Sequence, residues 1–144
     1  MGLALKQALK AYALDEVPVG AVVVAEGKVI AAAHNLTRTR QDPSAHAELL
    51  AIRKAAKKLG RWRLNDCRLY VTLEPCAMCA GAIVWSRIAR VVYGAKDPKA
   101  GACGSVLMVA AHGQLNHRAS LASGVLARES SELLVKFFKA KRIK

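Results

Sequence analysis

Two short segments hold the residues best able to do chemistry, Ser44-Ala45-His46-Ala47-Glu48 and Glu74-Pro75-Cys76-Ala77-Met78-Cys79. Cys76 and Cys79 are three positions apart. In a helix that spacing sets both sulfurs on one face, one turn apart, where they can reach a single ion. Pro75 suits the first turn of such a helix, and a helix N-terminus stabilises thiolates. His46 supplies a third ligand. One His and two Cys leave the fourth tetrahedral position open for water, the arrangement of a catalytic zinc and not of a closed structural one. Zinc in such a site brings its water's pKa toward neutrality, and Glu48 is then the natural proton carrier. One geometric condition applies. Positions two apart in a regular helix differ by ~200°, so His46 and Glu48 meet only if His46 lies in an irregular first turn.

Each segment is ambiguous alone. A C-x-x-C pair also serves as a redox dithiol, and H-x-E by itself means little. Together, H-x-E upstream and P-C-x-x-C downstream form the signature of zinc-dependent nucleobase deaminases. In that chemistry Glu48 takes the water's proton, carries it to the ring nitrogen and later protonates the departing amine. Cys67 and Cys103 read as buried small hydrophobes.

The elements that must position these residues can be read from periodicity. Residues 3–14 carry Leu3, Leu5, Ala8, Leu9, Tyr12 and Ala13 at helical spacing, which predicts a helix. Val19–Ala25 and Val29–Ala33 flank Glu26-Gly27 and read as a hairpin. Residues 34–43 are polar and read as a loop. Asp42 and Pro43 read as the N-cap and first residue of a helix running to about Leu59, with Gly60 as its stop. A strand over Cys67–Leu73, a helix from Pro75 to near Ser86 and a strand over Ala89–Tyr93 follow. Val106–Ala111 fits either strand or helix. The last helix spans Leu126–Lys141, with Leu126, Leu133, Leu134, Phe137 and Phe138 inward. Strands alternating with helices predict an α/β chain whose sheet is covered on both faces, antiparallel at the hairpin and parallel afterwards. Repeats, linkers and low-complexity tracts are absent from the sequence, which reads as a single domain over 1–144.

The bulk properties agree. The 144 residues are 53% hydrophobic, enough for a sizeable core, so overall disorder is excluded. Lys and Arg number 23 against 10 Asp and Glu, a net charge of +13 that suits a partner rich in phosphate. Residues 1–16 mix lysines and acids in an amphipathic pattern, unlike a signal peptide, and no apolar run approaches the ~20 residues of a membrane span. The expectation is a cytoplasmic protein with reduced cysteines and no membrane association.

The chain resembles the bacterial tRNA-specific adenosine deaminases over nearly its whole length. The resemblance rests on Glu16-Val17-Pro18-Val19-Gly20-Ala21, Asp42 to Glu48, Thr72 to Cys79, Ser86-Arg87-Ile88, Gly101 to Ser105, Leu115 to Arg118 and Phe137-Phe138. It implies a three-layer α/β/α cytidine-deaminase-like fold with a central mixed sheet of about five strands, and a homodimer holding one zinc per subunit. It also implies hydrolysis of adenosine to inosine at the wobble position of a tRNA anticodon stem-loop. Residue by residue it implies His46, Cys76 and Cys79 as ligands, Glu48 as proton shuttle, Asn35 in the substrate pocket, Asp97 beside the target nucleotide, and Val17 and Leu73 lining the base pocket.

Two basic clusters stand out, Arg53, Lys54, Lys57, Lys58, Arg61 and Arg63, and Lys136, Lys139, Lys141, Arg142 and Lys144. Either serves as a solvated face or as a phosphate contact; the C-terminal group is the better nucleic-acid candidate. Ala80–Val84 is apolar enough to suit a dimer contact. The rival readings are a deaminase of adenine or cytosine in single-stranded DNA, or of free guanine or cytosine, and, from another class, a zinc-stabilised RNA-binding module or non-catalytic subunit. Turnover separates these; metal content does not.

Overall fold

The computed structural model describes residues 1–143, so Lys144 lies outside the described residues. Helix α1 (Gly2–Ala13) leads into the hairpin β1 (Gly20–Ala25) and β2 (Lys28–His34). A single helical turn, α2 (Thr37–Arg40), precedes α3 (Ala47–Leu59); β3 (Cys67–Leu73), α4 (Ala77–Ser86), β4 (Arg90–Ala95), β5 (Ser120–Ala122) and α5 (Ala127–Ile143) follow. The strands form one sheet in the order β2-β1-β3-β4-β5, antiparallel from β2 through β3 and parallel from β3 to β5. The hairpin turns at Glu26 and Gly27 with φ of 51° and 74°, the left-handed pair that a two-residue turn demands.

The strands at the centre are rich in β-branched residues and buried on both faces. On one face Val23, Leu69, Val71 and Val91 pack with Leu50, Ala51 and Ala55 of α3 and Ile83 of α4. On the other lie α1 and α5, joined by an edge-on contact of Tyr12 with Phe137 at 6.1 Å between centroids. The result is the three-layer α/β/α arrangement with five strands.

Helix α1 turns a stripe of small side chains, Ala4, Ala8 and Ala11, to the sheet and leaves Leu3 and Leu9 about half exposed. Of the residues that carry the helical spacing, Ala8 thus faces the sheet while Leu3 and Leu9 lie on the outer flank. The reason is at Gly20, where an added Cβ would lie 2.0 Å from the Ala4 carbonyl oxygen and 2.5 Å from the Ala8 nitrogen. Helix and strand approach too closely for larger residues on either. Gly20→Ala is therefore expected to cost ~3 kcal/mol or more, since backbone must move to accept it; urea denaturation at fixed pH measures the loss, and a cost near zero would refute the contact.

Other readings shift. Helix α3 starts at Ala47 and not at Pro43, because the Asp42 carboxylate accepts the N–H and O–H of Ser44 at 2.9 and 2.7 Å and closes a separate turn. Residues 106–111 form neither strand nor helix, only a bridge between Cys103 and Met108. Leu126 precedes α5 with φ of 54°, and Phe138 is exposed while Phe137 is buried. The polar 34–43 segment contains the α2 turn.

Candidate active site

The site is built where the C-terminal ends of β3 and β4 meet the N-termini of α3 and α4. His46 is the N-cap of α3, with φ −78° and ψ 148°. It is extended and not helical, so the phase difference with Glu48 does not arise. Cys76 is likewise the extended N-cap of α4, at φ −75° and ψ 177°, and Cys79 lies in that helix's first turn. His46 Nδ1 stands 3.7 Å from Cys76 Sγ and 3.6 Å from Cys79 Sγ, and the three ligand atoms all lie within 4.8 Å of one another. Tetrahedral zinc with its usual Zn–S and Zn–N bond lengths separates S from N by about 3.6 Å. The donor set and spacing fit that ion.

The electrostatics suit it too. A hydrogen bond with Cys79 holds the Cys76 thiol down to about 3 despite burial, and His46 adds to the effect. The same hydrogen bond, with burial, pushes Cys79 up. His46 is raised, chiefly by its bond to Cys76. Glu48 is 4% exposed. Burial lifts its carboxyl to about 7, against the opposing pull of its own backbone N–H and of His46.

A cavity of about 220 Å³ opens beside these groups, walled by Val17, Asn35, Leu73 and Asp97 together with Thr37, Glu74 and Ala100. This is below the ~300 Å³ at which sites for drug-sized ligands begin, and suits one planar nucleobase. The Asn35 amide oxygen accepts the Ala47 N–H at 2.8 Å, which orients its NH₂ group as the donor available to the cavity. Asp97 closes its own turn by accepting the N–H groups of Lys99 and Ala100 at 3.0 and 3.2 Å. A second groove of about 800 Å³ shares Val17, Leu73 and Asp97 with the cavity and runs on past Lys96, Lys99, Phe138 and Arg142.

All four chemical residues and the four pocket residues anticipated from sequence therefore converge. Of the C-terminal cations, Arg142 lines the groove and Lys139 is exposed. Lys141 pairs with Asp15 at 2.5 Å, and Lys136 lies over the Tyr12 ring. Sequence reasoning missed Lys96 and Lys99, although both flank the Asp97-Pro98 pair it singled out. It also passed over Thr37, Ala100 and a role for Glu74.

A buried carboxylate, Glu16, braces the wall that carries Thr37. Glu16 accepts the N–H groups of Arg38 and Thr39 and the Thr37 hydroxyl, at 3.0, 2.6 and 3.4 Å. Burial alone would raise it, but these bonds outweigh burial and leave its pKa below the ordinary 4.5. A depressed carboxylate stabilises the fold fully above its unfolded pKa, and that contribution fades as pH falls through the lower, folded value. Wild type is thus expected to exceed Glu16→Gln in stability at neutral pH, the gap narrowing below pH 4.5. Thermal melts of both proteins across that range check the sign; a gap that widens in acid would overturn it.

The three-layer fold and an open His-Cys-Cys site beside a buried glutamate define a deaminase. Residues 1–142 match the model of the MafB19-like deaminase family. The tRNA-specific adenosine deaminase of Bacillus subtilis (strain 168) is 51% identical over 141 residues, covering 98% of this chain and 88% of that protein. The tRNA-specific adenosine deaminase of Agrobacterium fabrum (strain C58) is 48% identical, covering 99% and 94%. Among solved structures, one from a study of A-to-I editing by tRNA:A34 deaminases superimposes with TM-score 0.90 at 48% identity, covering 93% of this chain and 97% of that one. A guanine deaminase from Nitrosomonas europaea gives 0.81 at 27% identity, covering 94% and 81%. The chain belongs to the family of tRNA-specific adenosine deaminases. No helix among the described residues is long and apolar enough to cross a membrane.

Proposed function

We propose that this protein hydrolyses adenosine to inosine and ammonia at the wobble position of a tRNA anticodon, as one deaminase unit over 1–144 working in the cytoplasm. The observation that carries the reading is the cavity, sized for one planar base, that holds His46, Glu48 and Cys76 and continues into a groove bearing Lys96, Lys99 and Arg142. A deaminase of free bases has little use for that groove, whereas a polynucleotide threads its phosphates along it. Phe138, exposed there, offers a ring face to a neighbouring base.

His46, Cys76 and Cys79 would hold one zinc per subunit, and zinc when bound supplies Lewis acidity toward the attacking water. Glu48 accepts the proton of that water, delivers it to the ring nitrogen and then protonates the amine as it leaves. Asn35 donates to the base from the side, Val17 and Leu73 pack on its faces, and Asp97 contacts the flanking nucleotide. Lys139 and Arg142, with weaker support for Lys136 and Lys141, add phosphate contacts. The outer flank of α4, where Met78 and Trp85 are 40% and 74% exposed, supports a homodimer contact; Ala80, Ile83 and Val84, the apolar segment read for that role, are instead buried within the subunit.

The test is inosine formation in parallel on an anticodon stem-loop RNA with A at the wobble position, the matched single-stranded DNA, and free adenosine and guanine. Turnover on the stem-loop that weakens with salt supports the reading. Turnover on DNA or on a free base in preference to RNA would replace it.

A further inference from the structure

Glu74 lies between the last residue of β3 and Pro75-Cys76, and is 2% exposed. Its backbone N–H reaches the Ala95 carbonyl at 2.8 Å at the end of β4. Its carboxylate is wholly taken up by one loop. One oxygen accepts the Asp97 N–H at 3.1 Å and the Ser105 hydroxyl at 2.5 Å; the other accepts the N–H groups of Cys103 and Ser105 at 3.0 and 3.1 Å. Gly101 passes so close that a Cβ there would stand 2.4 Å from the carboxyl carbon. The same loop is stitched to the ligand segment by a Cys76–Gly101 bridge and by the Ala102 N–H on the Pro75 carbonyl at 2.8 Å.

Burying a carboxylate is costly unless its lone pairs are filled. Here they are filled by three N–H groups and one hydroxyl, all from residues 97–105, a stretch with no helix or strand to fix its own shape. That stretch carries Asp97 and Ala100 on the cavity wall. An apolar side chain in this place would fill the volume without fixing the direction of any N–H. We infer that Glu74 is a positioning residue, whose carboxylate sets the separation between the Cys76 ligand segment and Asp97 and so the width of the base pocket.

The kinetic half of the test rests on the tRNA reading above; the exchange half does not. In Glu74→Gln, an amide in which only one atom accepts, hydrogen exchange at residues 97, 103 and 105 is expected to quicken roughly tenfold while β3 and β4 keep their protection. On the stem-loop RNA, KM is expected to rise roughly tenfold with kcat within about twofold and metal content unchanged. Gly101→Ala, which crowds the carboxylate from the loop side, is expected to give the same split. Unchanged exchange at the three amides overturns the proposal. So does a loss of kcat together with metal at constant KM, which would make Glu74 a support for the ligands alone. If Glu74→Gln does not fold, Ser105→Ala and Gly101→Ala decide by the same readouts. If the wild type turns over no RNA, the functional reading falls and the exchange data alone decide this one.

Discussion

Glu48→Ala is expected to lose inosine formation by ~10²–10⁴ in kcat, the range for removing a general acid-base, while keeping wild-type metal content. Glu48 is in the first turn of α3, beside the His46 cap but not among the three atoms that converge to ligand distance. The variant therefore removes the proton carrier and spares the ligands. Burial has brought the Glu48 carboxyl to about 7, where it gives and takes a proton with nearly equal ease at neutral pH. Because that burial is unfavourable to a charge, the alanine variant should melt no lower than wild type. Glu48→Gln keeps shape and separates packing from proton transfer. Retained kcat in either variant would remove Glu48 from the chemistry; loss of metal in both would make it a ligand.

Cys79→Ala is expected to abolish metal binding and activity together. Cys79 is fully buried, and its sulfur stands within 3.6 Å of the His46 ring nitrogen. A His-Cys pair left alone is a weak zinc site, because the open catalytic geometry already works with one protein ligand fewer than a structural one. A ligand present at a hundred times its Kd stabilises a fold by ~2.7 kcal/mol, and the variant forfeits that contribution. Added zinc should thus raise the wild-type melting temperature and leave the variant's unchanged. A variant that still bound zinc at wild-type stoichiometry would exclude Cys79 from the ligand set.

Much of this was legible in the residues. That His46, Cys76 and Cys79 come together beside Glu48, and that the hairpin turns at Glu26 and Gly27, followed from types and spacing, since metal geometry and positive φ admit few residues. The parts that were not legible depend on contacts far along the chain. The three residues of β5 have no strand pattern of their own and are ordered by pairing Arg90 with Ser120 and Val92 with Ala122. Helix α1 hides its alanines because Gly20, a dozen residues on, permits close approach. Pro43 looks like a helix start, yet the Asp42–Ser44 turn takes it first and hands the cap to His46. That single displacement removes the apparent conflict between His46 and Glu48 and lets both face one cavity. Lys96 and Lys99 became part of a groove only once Phe138 and Arg142 of α5 stood opposite them.

Both helices that frame the site begin on a residue whose side chain makes no capping hydrogen bond, His46 in one case and Cys76 in the other. Serine or aspartate at either place would strengthen the helix by ~1 kcal/mol and remove a donor from the cluster able to hold a metal. The two caps stand thirty residues apart with β3 between them. An ion can join them only after the sheet has paired and both helices have docked. A metal held by these two caps would thus report on the finished topology, since neither cap alone offers the full set of donors.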